Sequence, residues 1–428
     1  MRWCRIPITQ RHLHKMARER RSLRTTTSMP PSFRADQIGS LLRPGSLLAA
    51  RRSQDVYRDS ALSPDIAEAT KAAIAGAVQK QLELSIRPIT SGEYERTIFY
   101  SGFFEKLEGM TTTRGLRLPD AYRKGLPTAY ALLKIGRTEV EGNVATGPIR
   151  HTAPACMEAW EMLKSVTPPE HWGECKMSLP SIGFEHIQLA HGTAWAPGVY
   201  DSDRAYFADL ATAYRAELRA LYDAGLRHVQ IDDPNLCWFF VDAFVDGCRA
   251  DGVDPEELFD TYVWAHNEML RDRPTGMHIG IHLCRGNTSA FHEFTWGSYE
   301  SIAEKLLTKL DYEKFYLEYE DPKRQGSFAP LRFLPPGKSV VLGIVSTKTG
   351  ALEDIDMLVA RVREAAEAIA KGQGRSAEEV LEDTLAVSPQ CGFASINFLA
   401  GDGVTEEKMW AKLVLLRDLA RRLWKDAI

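Results

Sequence analysis

From residue 86 onward, short apolar runs alternate with longer stretches of helical period, and this alternation limits the fold more than any other feature of the chain. Strands are expected at Ile86 leading to Glu93, at Val140–Ile149, Lys176–Pro180, His228–Asp232 and Met277–Cys284. Three more are expected at Lys314–Glu320, Ser339–Ser346 and Thr384–Gly392. Helices are expected at 63–84, 157–165, 203–224, 255–271, 299–310, 354–370 and 406–425. Ser63 followed by Pro64 is an N-cap with proline at the first helical position, and Gly225 suits the end of the helix before it. Parallel neighbours need a crossover, which a helix provides, so the pattern implies a parallel sheet. Eight such units fit a single closed (β/α)8 TIM barrel, an α/β fold, better than an open doubly wound sheet. No Gly-x-Gly-x-x-Gly follows the first strand, which argues against a dinucleotide-binding domain.

In a parallel barrel every strand opens onto one face at its C-terminal end, and active sites are built there. Six residues able to do chemistry stand at those ends: Glu93, Asp232, His282, Cys284, Glu318 and Cys391. Any one of them alone reads as a packed or capping side chain; six on five strands do not. His282 and Cys284 lie two apart on one strand and so share a face. With Cys391 and Glu318 they offer one nitrogen, two sulfurs and one oxygen, a zinc set, whereas magnesium and calcium prefer all-oxygen shells. Glu320 shares the face of Glu318 and is its substitute in this reading. Cys237, beyond Asp232-Asp233-Pro234, is the rival sulfur, while Cys156, Cys175 and Cys248 read as packing residues.

The chain has 428 residues, 44% hydrophobic and 26% charged, which suits one large barrel with insertions. A net charge of −4 gives no case for nucleic-acid or membrane partners, and no apolar run is long enough to cross a bilayer. Seven scattered cysteines without a Cys-x-x-Cys pair point to a reducing, cytoplasmic setting. Residues 1–29 differ from the rest: seven Arg and Lys15 against Glu19 give +7, which leaves −11 on residues 30–428. They read as a disordered extension, with a mitochondrial presequence as the alternative, and residues 30–428 as the barrel.

Six short segments, in order, resemble the catalytic domain of cobalamin-independent methionine synthase. They are Ile38-Gly39-Ser40, Gly92-Glu93-Tyr94-Glu95-Arg96, Gln230-Ile231-Asp232-Asp233-Pro234, His282-Leu283-Cys284, Leu317-Glu318 and Ser388-Pro389-Gln390-Cys391-Gly392. The likeness runs from about Asp36 to the C-terminus. It implies a barrel holding Zn2+ on His282, Cys284, Glu318 and Cys391, with homocysteine as methyl acceptor. It further implies that Ile38, Gly39 and Ser40 cradle the substrate carboxylate and that Glu93 and Asp232 meet its ammonium. Asp233, Glu95 and Arg96 would buttress that pocket.

Three departures from the family pattern all fall on the methyl-donor side. There is no room for the additional N-terminal barrel that helps bind a polyglutamylated folate. Lys348 stands where the family carries a proton-donating histidine, and an ammonium of ordinary pKa near ~10.4 is a poorer general acid at neutral pH. The family's folate-contacting aromatic segment is not recognisable around Lys176–Phe184. The expectation is therefore a zinc-dependent methyltransferase acting on a thiol, with a folate or another carrier as donor. The alternatives are a zinc-dependent thiol alkyltransferase that opens an epoxide, a metal-free decarboxylase-like barrel, and an inactive barrel with a structural zinc.

Overall fold

A computed structural model describes residues 31–51, 63–117, 139–286, 295–395 and 403–427. The Arg-rich head at 1–29 lies outside the described residues. Six strands form one parallel sheet: β3 (Lys176–Pro180), β4 (His228–Asp232), β5 (His278–Leu283), β6 (Lys314–Glu318), β7 (Ser339–Val345) and β8 (Leu385–Pro389). β1 (Glu108–Arg117) and β2 (Glu139–Arg150) form a separate antiparallel pair. The six are ordered along the sheet as in the sequence, each lying parallel to the next. They are buried almost throughout, as strands covered on both faces must be, and β7 (Ser-Val-Val-Leu-Gly-Ile-Val) shows the β-branched run this favours.

The expected helices are present. Ser63 accepts a hydrogen bond from Ile66 N (3.4 Å) and caps Pro64–Glu83; Ser202 caps Asp203–Asp223, and Asp354 caps Ile355–Gln373. Gly225 follows the second of these at φ 106°, a conformation open to glycine. Among the described residues no helix is long and apolar enough to cross a membrane.

Two expectations need correction. Val140–Ile149 does form a strand, but as part of β2, paired antiparallel with β1 and outside the parallel sheet. Gly142, Gly147 and Pro148 interrupt it, so it lacks the continuous apolar run of a strand buried on both faces. The Thr-rich β1 was not anticipated. The stretch from Ile86 to Glu93 forms no regular strand; it contributes one parallel bridge, Ile89 to Cys175, at the β3 edge. At the opposite edge Ala35 bridges to Val387 of β8.

One residue row crosses the sheet in register through Pro180, Asp232 and His282, and its continuation joins Tyr316, Val341 and Ala386. Ile38 packs with the last three in a cluster apart from the main core. Gly280 makes this possible: a β-carbon there would meet the Tyr316 ring at 2.7 Å. Beneath Ile38 the buried Asp36 carboxylate accepts from Lys176 Nζ (2.7 Å) and Tyr316 Oη (2.7 Å), with Lys314 Nζ at 3.4 Å. Burial alone would raise the Asp36 pKa, but the two lysines hold it below the usual carboxylate range. This knot of charge fixes the segment that carries Ile38, Gly39 and Ser40.

Candidate metal centre

Cys284 stands one residue past β5 and Cys391 two past β8, while Glu318 ends β6 and His282 lies within β5. One ligand atom from each of the four lies within 4.8 Å of all the others. The Cys284 and Cys391 sulfurs are 3.4 Å apart. His282 is buried, yet neither of its ring nitrogens has a hydrogen-bond partner among the described residues. A buried imidazole left wholly unsatisfied is costly, and a cation between the four groups would satisfy it. The donor set and its closeness therefore fit a metal ion, and two thiolates with an imidazole fit zinc.

The local electrostatics also suit a cation. The hydrogen-bonding contact with Cys391 and the His282 ring beside it draw the Cys284 thiol down to about 6 against the effect of burial. Cys391 is pushed well above its ordinary value by that same contact with Cys284 and by burial. Burial raises the Glu318 carboxyl, opposed by Lys348 and Arg324.

Glu318 is held on both oxygens. Arg285 N donates to Oε1 (2.6 Å), Arg324 Nη2 to Oε2 (2.9 Å), and Lys348 Nζ is 3.8 Å from Oε2. Glu320 instead takes the Lys348 ammonium at 2.5 Å and the Gln325 amide. The geometry thus brings Glu318, not its substitute Glu320, into the four-residue group. Cys237 is buried and stays outside it. Arg285 and Arg324 went unnoticed in the sequence, although Arg285 directly follows Cys284 and Arg324 is four residues beyond Glu320.

The expected acceptor residues also come together. Ile38 O accepts from Gln230 Nε2 (2.8 Å), and that amide also donates to Asp232 Oδ1 (2.6 Å). Gly39, at φ 146°, lies against Glu93: a β-carbon there would stand 3.0 Å from Glu93 Oε1. Gly92 and Glu93 both sit in the left-handed region, at φ 69° and 59°, which turns the Glu93 side chain back toward Gly39. Glu93 Oε1 accepts from Ser178 Oγ (2.7 Å) and pairs with Arg96 Nη2 (2.8 Å). Burial and the charge of Glu93 push the Asp232 carboxyl up to about 7. Asp233 serves the scaffold: it accepts from Asn235 N (2.7 Å) and Leu236 N (2.8 Å) and contacts His266 Nε2 (3.0 Å). Ser178 is a contributor that no motif in the sequence singles out.

A model of the cobalamin-independent synthase catalytic domain matches residues 193–401. The uncharacterized protein YxjH of Bacillus subtilis is 32% identical, over 92% of this chain and 95% of its own length. A Listeria monocytogenes crystal structure assigned as a vitamin-B12-independent methionine synthase is 28% identical, with a TM-score of 0.63, covering 93% of this chain and 99% of that one. The 5-methyltetrahydropteroyltriglutamate–homocysteine methyltransferase of Thermotoga petrophila is 21% identical over 92% of this chain, which spans 45% of that protein's length. With its four clustered metal-ligand candidates, the chain belongs to the family of the cobalamin-independent synthase catalytic domain.

Proposed function

We propose that the chain is a zinc-dependent methyltransferase that moves a methyl group to a thiol, homocysteine, to give methionine. The observation that carries this reading is His282, buried with neither ring nitrogen hydrogen-bonded among the described residues, its ligand atom within 4.8 Å of those of Cys284, Glu318 and Cys391. Held by His282, Cys284, Glu318 and Cys391, a zinc ion would supply Lewis acidity that lowers the pKa of a substrate thiol. The protein's own part is positioning. Ile38, Gly39 and Ser40 receive the substrate carboxylate, and Glu93 and Asp232 receive its ammonium. Arg96 already pairs with Glu93, so the added cation chiefly balances Asp232. Lys348, ion-paired with Glu320 and Glu318, is the candidate to give the departing methyl carrier its proton, a weaker acid than the family's histidine.

We read the architecture as a closed (β/α)8 barrel; the single bridges at Ala35 and Ile89 and the hydrogen bond from Leu41 N to Gly92 O (3.0 Å) between their segments support that reading. A folate or another methyl carrier is the second substrate, and a reducing compartment keeps the thiols available. The test is methionine formation by zinc-loaded protein from homocysteine with 5-methyltetrahydrofolate (mono- and triglutamate) or methylcobalamin as donor. Turnover that needs both zinc and homocysteine supports the reading. Zinc-free protein that turns over equally well would reject it.

A further inference from the structure

Glu93 and Asp232, the two buried acids of the proposed ammonium site, are anchored unequally. Glu93 Oε1 takes both the Ser178 hydroxyl (2.7 Å) and the Arg96 guanidinium (2.8 Å). The Asp232 carboxylate has a single hydrogen-bond donor among the described residues, the Gln230 amide, at 2.6 Å from Oδ1. Neither Glu93 Oε2 nor Asp232 Oδ2 takes a hydrogen bond among the described residues. Each acid is thus fixed through one oxygen and keeps the other for a ligand.

The direction of the Gln230 amide is imposed from deeper in the sheet. Gln230 lies two residues before Asp232 on β4, so the two side chains leave the same face. Its Oε1 accepts from Lys176 Nζ (2.9 Å), and Lys176 is itself held by Asp36 (2.7 Å). An ammonium only donates and a backbone carbonyl only accepts. With Lys176 on one side and Ile38 O (2.8 Å) on the other, the amide cannot turn round. Its N–H bonds go to Ile38 O and Asp232 Oδ1, and the fully buried side chain is satisfied at both ends. Asp36, Lys176, Gln230 and Asp232 form one hydrogen-bonded chain, in which each bond polarises the next and strengthens the last.

We infer that Gln230 is a positioning residue that gives the pocket its preference for an α-amino acid over the same carboxylate without an ammonium, a reading that rests on the acceptor site proposed above. Held at Oδ1, Asp232 presents Oδ2 without having to be ordered each time a ligand binds, a cost that an untethered carboxylate would carry. The carboxylate cradle depends on Gln230 far less. Thr90 Oγ1 donates to Gly39 O (3.0 Å), Leu41 N to Gly92 O (3.0 Å) and Phe393 N to Ser40 O (2.9 Å), and none of these involves the amide. Loss of the amide therefore falls on the ammonium end of the ligand.

The test is calorimetric titration of zinc-loaded native chain, Gln230→Met and Gln230→Asn with two ligands. One is methionine and the other 4-(methylsulfanyl)butanoate, the same molecule without its amine. The methionine variant keeps the length but no amide, and the asparagine variant keeps an amide one methylene short; either one, once folded, decides. Zinc content and denaturant melts are measured on each. The native chain should bind methionine more tightly than the analogue. Both variants should narrow that preference about tenfold, through weaker methionine binding, with analogue affinity and zinc content little changed. A residue that merely supported the fold would weaken both ligands alike. A folded, zinc-loaded variant that keeps the native preference overturns the inference. A native chain that holds zinc but binds methionine no better than the analogue would instead refute the proposed ammonium site, so the two failures are distinguishable.

Discussion

A β-carbon on Gly392 would stand 1.9 Å from the hydroxyl of Ser40. The contact continues through Phe393 N, which donates to Ser40 O (2.9 Å), and Ala394 N, which donates to Ser40 Oγ (3.3 Å). Cys391, a candidate metal ligand, and the Ile38–Ser40 turn, the candidate carboxylate cradle, are therefore parts of one packed unit. A disturbance at either is felt at the other.

Gly392→Ala should expose this coupling. The added methyl group must displace Ser40, and overpacking of this kind costs roughly 1–3 kcal/mol. The expected outcome is a folded protein, somewhat less stable in denaturant melts, whose methionine affinity falls about tenfold, the equivalent of ~1.4 kcal/mol. Calorimetric titration checks this, and unchanged affinity would show that the Ser40 turn takes no part in substrate binding.

Cys391→Ser removes one thiolate from the four-residue group. Zinc, about one per native chain on this account, should fall to a small fraction by elemental analysis. Methyl transfer should drop by more than the roughly 100-fold that loss of an outer partner of a ligand can cause. The melting temperature of metal-free protein should change little. A variant that keeps zinc and activity would show that Cys391 is not a ligand.

Asp232 gives methionine binding a definite pH dependence. Its free carboxyl is raised to about 7 by burial and by Glu93, and a bound ammonium favours the ionised form. Binding below pH 7 must therefore release a proton, so affinity rises with pH up to about 7 and then levels off. Methionine has no thiol to deprotonate, which isolates this effect. Calorimetry in buffers of different ionisation enthalpy should detect proton release at pH 6 that Asp232→Asn abolishes. Equal proton release from native and variant protein would assign the titration elsewhere.

Much of the candidate site could be read from the sequence because each candidate ligand stands at or next to a strand end, where a period of two fixes the face. His282 and Cys284 illustrate this directly. Glu318 could be separated from Glu320 only in three dimensions, since both share a strand face and the choice is made by Lys348 and Gln325. The two edge segments were harder to read: the one near Ala35 looked irregular and the one near Ile89 looked like a full strand. Each in fact contributes a single bridge to its sheet edge, and what anchors the first is the buried Asp36, whose lysine partners are 140 and 278 positions away. β2 passed for a barrel strand because a single strand does not reveal the direction of its partner. Arg285 acts through its backbone N–H and through carbonyls on a distant turn, contacts that leave no periodic trace.

Glu185 tests the scaffold where the helix Phe184–Gln188 meets β2. Its buried carboxyl accepts from Asn143 N (3.1 Å) and Nδ2 (2.8 Å) and is raised to about 7, chiefly by burial. The folded state thus keeps a proton that the unfolded chain loses near 4.5, so stability falls as pH rises between those values, by up to about 3 kcal/mol. Glu185→Gln removes that loss and should be more stable than the native chain at pH 8 but not at pH 4. Denaturant melts at the two pH values decide it; a difference independent of pH would place the proton elsewhere.

On the function proposed above, four side chains from three strand ends would hold a zinc ion that takes up a substrate thiol. Titration of homocysteine into cobalt-substituted protein tests it most directly, because cobalt reports its sulfur ligands in its absorption. A sulfur-to-cobalt charge-transfer band that strengthens with homocysteine and saturates at one equivalent is expected; a spectrum indifferent to the thiol would show that no substrate sulfur reaches the metal.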